Sequence, residues 1–153
     1  MGKQNWVFLA LLAGGLSLSG RALASDPFQY IPAAKAAADV ADSAKGPATK
    51  IYFSHDNFQG LMSGRSKSGQ AELHMHWNDY ITVVSGVATL TVGGNGVNMK
   101  EVSPGELRGD RIEGGRTVTL HPGDIVTIPA GMPHWMQLAP GMKFLYSVSK
   151  IRE

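Results

Sequence analysis

The chain has 153 residues, 14 Lys and Arg against 12 Asp and Glu, 43% hydrophobic residues and no cysteine. That length and apolar content suit one domain with a real core. Disulfides, thiol catalysis and a cysteine-linked lipid anchor are excluded, and no basic tract with interleaved aromatics supports nucleic-acid binding.

Residues 1–24 read as a secretory signal peptide. Lys3 supplies a positive start, Trp6 to Leu18 is an apolar run broken by Gly14, Gly15 and Ser17, and Ala22-Leu23-Ala24 is a small-x-small cleavage site. The run is shorter than the roughly 20 apolar residues a membrane anchor needs. Cleavage removes Lys3 and Arg21, leaving 12 basic against 12 acidic residues. The expected location is the periplasm or the exterior, with no stable membrane anchor after cleavage.

Residues 25–49 form an alanine-rich leader. Pro32 suits the first turn of a helix and Gly46 its end, which predicts a short helix over 33–45 on the outside of the domain. A flexible spacer is the alternative. From residue 50 to 153 the pattern changes to short β runs divided by turns. Strands are expected near 50–54, 57–65, 71–77, 79–85, 87–92, 97–102, 106–112, 116–121, 124–128, 133–138 and 143–150. Ser85-Gly86, Gly93-Gly94-Asn95-Gly96 and His121-Pro122-Gly123-Asp124 mark turns. Residues 93–116 are glycine-rich and polar, and read either as a solvated loop or as a hairpin over a pocket rim or a dimer contact. No internal repeat is evident. Short strands with glycine turns imply an all-β antiparallel sandwich or barrel.

Three histidines carry the chemistry. His74 and His76 alternate along an expected strand, so their imidazoles should share one face. His134 follows a Pro/Gly turn at the start of another strand and can meet them inside a barrel. Three converging imidazoles make a divalent-metal site. There is no Gly-x-Ser-x-Gly elbow, phosphate-binding P-loop or dinucleotide fingerprint.

Over residues 50–150 the chain resembles a single-domain cupin. Gly123, Pro129, Gly131 and His134 fit the second motif of that family, with Leu138 where an asparagine is usual. His74 and His76 fit the first motif. Its carboxylate position, counted back from Gly86, holds Asp79 rather than glutamate and stands one residue closer to His76 than usual, while Gly69 is off by one from the leading glycine. The resemblance implies a double-stranded β-helix (jelly-roll) barrel. It implies metal ligands at His74, His76 and His134, with Asp79 as fourth ligand, as a water-mediated neighbour of the metal, or as a turn cap. It also implies a homodimer, a divalent ion (Fe, Mn, Zn or Cu), and dioxygenase, decarboxylase, isomerase or lyase chemistry on a small molecule.

Alternation places further candidates. Glu72, two residues before His74, should share its face and could orient an imidazole or act as a general base, or else lie in water at the strand end. Asp79 is the other candidate for acid–base work. Met136, two after His134, should point inward as pocket lining or as a soft-metal ligand. Tyr146 and Arg65 are candidate substrate contacts. Trp77 and Trp135, each one residue from a motif histidine, should point outward, and His55 and His121 read as surface residues. Three functions stay open: a metal-dependent enzyme acting on a small hydroxylated or carboxylated molecule, a non-catalytic ligand- or metal-binding carrier or sensor, and a structural domain that lost its metal.

Overall fold

The computed structural model describes residues 28–43 and 47–153. The expected signal peptide lies outside the described residues, as does Gly46. Among the described residues, thirteen strands follow one helix, α1, Ala33–Asp39. The first five are β1 Ala48–His55, β2 Phe58–Arg65, β3 Ala71–His74, β4 Trp77–Ser85 and β5 Ala88–Val92. Next come β6 Asn95–Val97, β7 Lys100–Ser103, β8 Glu106–Gly109 and β9 Arg111–Glu113. The last are β10 Arg116–Leu120, β11 Ile125–Ile128, β12 His134–Gln137 and β13 Phe144–Arg152.

All pairings are antiparallel. One sheet has the order β1-β2-β13-β4-β11 and the other β10-β5-β12-β3-β8-β7, with β6 and β9 as a separate pair. The strand order interleaves early and late strands, and both sheets line one internal cavity. This is a double-stranded β-helix, as expected. Ile31–Glu153 forms one compact unit, so α1 belongs to the barrel unit and β1 begins two residues before the expected boundary.

Alternation explains the two-sided sheets. On β4 the residues Asp79, Ile81 and Val83 are buried while Tyr80, Thr82 and Val84 are exposed. On β13 Phe144, Tyr146 and Val148 are buried. The dry end of the barrel packs Val83, Leu90, Leu120, Ile128 and Phe144 in one cluster. Each such side chain contributes roughly 1.5–3 kcal/mol of burial.

The helix and the glycine-rich stretch both differ from expectation. The helix stops at Asp39 rather than near 45. Val40 leaves helical geometry at φ −123° and is 2% exposed, with its carbonyl set down so closely on Gly64 of β2 that a Cβ there would lie 2.4 Å from the oxygen. Packing on the barrel overrides the helix propensity of the alanines. The 93–116 stretch is not a solvated loop. β8 joins β3 and β7 joins β8, so it widens the second sheet.

The turn that delivers His134 has a strict backbone requirement. Met132 N–H donates to the Pro129 carbonyl at 3.2 Å, and Gly131, third in that turn, has φ +74°. A type II turn needs this left-handed residue, which glycine adopts without strain. Gly131 N–H also donates to the His74 carbonyl at 2.8 Å, and Ala130 N–H to the Asn78 side chain at 3.0 Å. The turn is thereby clamped to the end of β3. Gly131→Val is expected to lower stability by about 1–2 kcal/mol, the cost of a β-branched residue in left-handed geometry. A thermal melt should show a midpoint several degrees lower, and an unchanged midpoint would contradict the assigned turn.

Candidate metal centre and cavity

The site is built by register. On the second sheet His134 pairs with Glu72, and Glu72 pairs in turn with Arg108, so β12, β3 and β8 set three side chains in one cross-strand row. One step of two residues along β3, His74 pairs with Glu106 of β8. From the facing sheet, Lys150 of β13 pairs with both Gln59 of β2 and Asp79 of β4. These rows face a cavity of about 440 Å³, within the range of small-molecule pockets.

Glu72, His74 and His134 offer ligand atoms that all lie within 4.8 Å of one another. His74 and His134 are 5% and 6% exposed, with ring centroids 5.1 Å apart. Each imidazole is anchored through Nδ1. For His74 the partner is Glu106 Oε2 at 2.5 Å, and for His134 it is the Met132 carbonyl at 3.1 Å. An Nδ1–H that donates outward leaves the Nε2 lone pair for the cavity, the arrangement that orients histidines toward metals. His74 Nε2 lies 3.5 Å from Asp79 Oδ2 and 3.7 Å from Glu72 Oε2. Two imidazole nitrogens and one carboxylate, with Asp79 alongside, are a donor set that fits a divalent cation.

The charges are closely matched. Arg65, 6% exposed, donates from Nε to the Tyr146 hydroxyl at 2.8 Å and from Nη2 to Glu72 Oε1 at 2.7 Å. Its Nη1 sits over Gly69, where a Cβ would come within 2.1 Å. Arg108 Nη2 lies 3.4 Å from the other oxygen of Glu72. Burial alone would raise the Glu72 pKa, but the charges of Arg65, His134 and Arg108 more than offset it and hold the carboxyl at about 2. Burial likewise opposes ionisation of Asp79 and Glu106, yet His74 in contact with both keeps each below its ordinary value. Burial pushes His134 down despite Glu72 nearby. Burial acts on His74 in the same sense, but its contacts with Asp79 and Glu106 win, and its pKa is raised.

The sequence-predicted residues divide as follows. Glu72, His74, Asp79 and His134 come together, and Arg65, Met136 and Tyr146 line the same cavity. His76 does not join them. β3 ends at His74, residues 75–76 form a bend, and His76 is exposed, its ring lying against the Gly105 turn. The bend also shifts the alternation by one. Trp77 therefore starts β4 on the inward side with Asp79 and lines the cavity mouth, with the Arg152 guanidinium 5.7 Å from its ring. Trp135 is half-buried and donates from Nε1 to the Gly69 carbonyl at 2.8 Å. His55 and His121 are exposed. Sequence reasoning missed Glu106, Arg108 and Lys150. The alternating Glu106-Leu107-Arg108 pattern was the available signal for the first two, masked by the glycines around it.

No family model matches the chain, and no curated protein matches it. Solved structures do. The polyketide cyclase RemF from Streptomyces resistomycificus is 22% identical with a TM-score of 0.52, over 72% of this chain and 68% of that one. A candidate mannose-6-phosphate isomerase from Ralstonia eutropha JMP134 is 15% identical with a TM-score of 0.56, over 77% and 95%. A cupin superfamily protein from Desulfitobacterium hafniense DCB-2 is 12% identical with a TM-score of 0.51, over 71% and 80%. Strand topology and these neighbours define the molecule as a cupin-fold protein, a single double-stranded β-helix domain. At these identities the likeness is one of fold.

The depressed Glu72 pKa has a stability consequence. A carboxyl near 2 when folded and 4.5 when unfolded stabilises the fold fully above about pH 4.5, and the contribution is lost as pH falls toward 2. The gap corresponds to on the order of 3 kcal/mol. In metal-free protein, Glu72→Gln should therefore be less stable than wild type near pH 7, with the difference shrinking through that acid window. Denaturant titrations at several pH values check this, and parallel pH profiles would refute it.

Proposed function

We propose that this chain is an exported cupin that binds a divalent metal ion through Glu72, His74 and His134, with Asp79 as a fourth ligand or water-mediated neighbour. The metal would serve chemistry on a small hydroxylated or carboxylated molecule. The observation that carries this reading is the pair of outward-anchored Nδ1 atoms, which turns both Nε2 atoms toward Glu72 and the cavity. When bound, the ion supplies Lewis acidity and open coordination positions for oxygen ligands. The protein's own residues hold and shape the site. Glu106 and the Met132 carbonyl fix the two imidazoles, and Arg65 fixes Glu72. Glu72, held anionic by two guanidiniums, is a better ligand than base. Protonated His74 cannot ligate, so binding should tighten as pH rises above 6.5.

Enzyme chemistry of dioxygenase, decarboxylase, isomerase or lyase type is the favoured use of the site. Neighbours of the same fold are named for a polyketide and for mannose 6-phosphate. A non-catalytic carrier or sensor is the second reading, favoured by Met136, whose buried side chain shares the cavity with His134. Iron, manganese, zinc and copper remain the candidate ions. Export to the periplasm or beyond rests on the residue 1–24 pattern, and no helix of the described residues is long and apolar enough to cross a membrane. A homodimer is supported by Tyr80 and Val84 on the outer face of β4 and by Ile125, 75% exposed on edge strand β11.

His74→Ala and His134→Ala should each abolish stoichiometric metal binding in elemental analysis of a folded barrel, while His76→Ala should keep it. Full occupancy in the first two would remove the assignment. Loss in His76→Ala would restore the three-histidine site. For the dimer, Ile125→Glu should halve the mass seen by light scattering if this edge carries the contact.

A further inference from the structure

Three cations line the cavity, and they are not equally committed. Arg65 is bound to Tyr146 and Glu72. Arg108 faces Glu72 and Glu106 and donates to the Leu107 carbonyl. Lys150, with its side chain 12% exposed, has Nζ 3.0 Å from Asp79 Oδ1. That oxygen nonetheless lacks a hydrogen-bond partner, so the contact is electrostatic and off the bonding angle. An ammonium carries three donors, and apart from its ion pair with Asp79 that of Lys150 makes no hydrogen bond among the described residues. Gln59, its cross-strand neighbour on β2, also lines the cavity, and its amide makes no hydrogen bond to the described residues.

The inward side of the first sheet has a simple layout around this pair. One step of two residues from the Gln59–Lys150–Asp79 row lies the row Leu61, Val148 and Ile81, which is apolar. One step further lie Ser63 and Tyr146. Each step is about 7 Å by the rise of a strand. An apolar band is thus flanked on one side by the row that carries the Lys150 ammonium, its ion-pair partner Asp79 and the Gln59 amide, and on the other by hydroxyls, with His134 and Met136 lining the cavity from the second sheet. The charge count points the same way. Arg65, Arg108 and Lys150 balance Glu72, Asp79 and Glu106, so a divalent ion would leave the loaded cavity positive and favour an anionic guest.

We propose that the cavity takes a small carboxylic acid with an aromatic or alicyclic body. Its carboxylate lies against Lys150 and Gln59, and its ring lies on the Leu61–Val148–Ile81 band. This deepens the metal-assisted reading of the same cavity by naming the substrate class and a specificity-determining residue, and it rests on that reading for the charge argument alone.

The test is a calorimetric titration of the full chain, metal-loaded and metal-stripped, with benzoate, salicylate and cyclohexanecarboxylate, each paired with its neutral amide. Wild type should bind the acids at least about tenfold more tightly than the amides, as expected for hydrogen bonds to a charged group. Lys150→Gln, which keeps a polar partner beside Asp79, should erase that preference, so that each acid binds no more tightly than its own amide. Gln59→Leu, which leaves the Lys150–Asp79 pair intact, should reduce it about threefold and decides the matter if Lys150→Gln fails to fold. Equal binding of acids and amides, an unaltered preference in the variants, or no binding of any acid would overturn the proposal. Acid preference that survives in protein unable to take up metal would overturn the metal reading and leave the anchor standing.

Discussion

The register of β3 between β12 and β8 is the constraint on which the cavity depends. Opposed residues of an antiparallel pair share a face, so His134, Glu72 and Arg108 arrive in one row. A slip of one residue would turn Glu72 and His74 to the outside together. The barrel guards against that slip from both ends. Gly131 N–H binds the His74 carbonyl, Met75 N–H binds the Gly105 carbonyl at 2.8 Å, and Gly69 N–H binds the Met136 carbonyl at 3.1 Å. Backbone bonds at the strand ends thus hold the side chains of the strand centre in place.

The second organising feature is a compensated set of buried charges. A lone carboxylate or guanidinium in such a cavity would be strongly disfavoured. Here Arg65 sits between Tyr146 and Glu72, Glu106 backs His74, and Lys150 faces Asp79. The set is costly to assemble and costly to break in part, because removal of one member strands its partner. Its benefit is orientation. Each group with metal-binding capacity is held from behind, so its free atom faces the cavity without further rearrangement.

Much of the architecture was legible in the chain. Alternating β runs and glycine turns placed nearly every strand to within a few residues, because the period of a half-buried strand is written locally. The grammar of Gly123, Pro129, Gly131 and His134 was legible for the same reason, as a type II turn demands particular residues at particular places. Glu72, His134 and the inward-facing Met136 followed from simple alternation. His76 was misplaced because alternation was carried past the end of a strand. The bend at residues 75–76 shifts the parity, and nothing local to Leu73–Trp77 announces it. The helix was overextended because alanine propensity was weighed without Gly64, which draws Val40 out of the helix.

The sequence by itself determined the all-β barrel, the turn that presents His134, and a supply of histidines and carboxylates suited to a cation. These are properties of neighbours in the chain, where spacing and backbone preference suffice. Only the tertiary structure decided that Glu72 rather than His76 lies beside His74 and His134, that Glu106 and Arg108 of a glycine-rich stretch line the same cavity, and that Lys150 faces Asp79. Those outcomes depend on which strands lie side by side and in what register. That is fixed by contacts between residues as far apart as Arg65 and Tyr146, which no local pattern records.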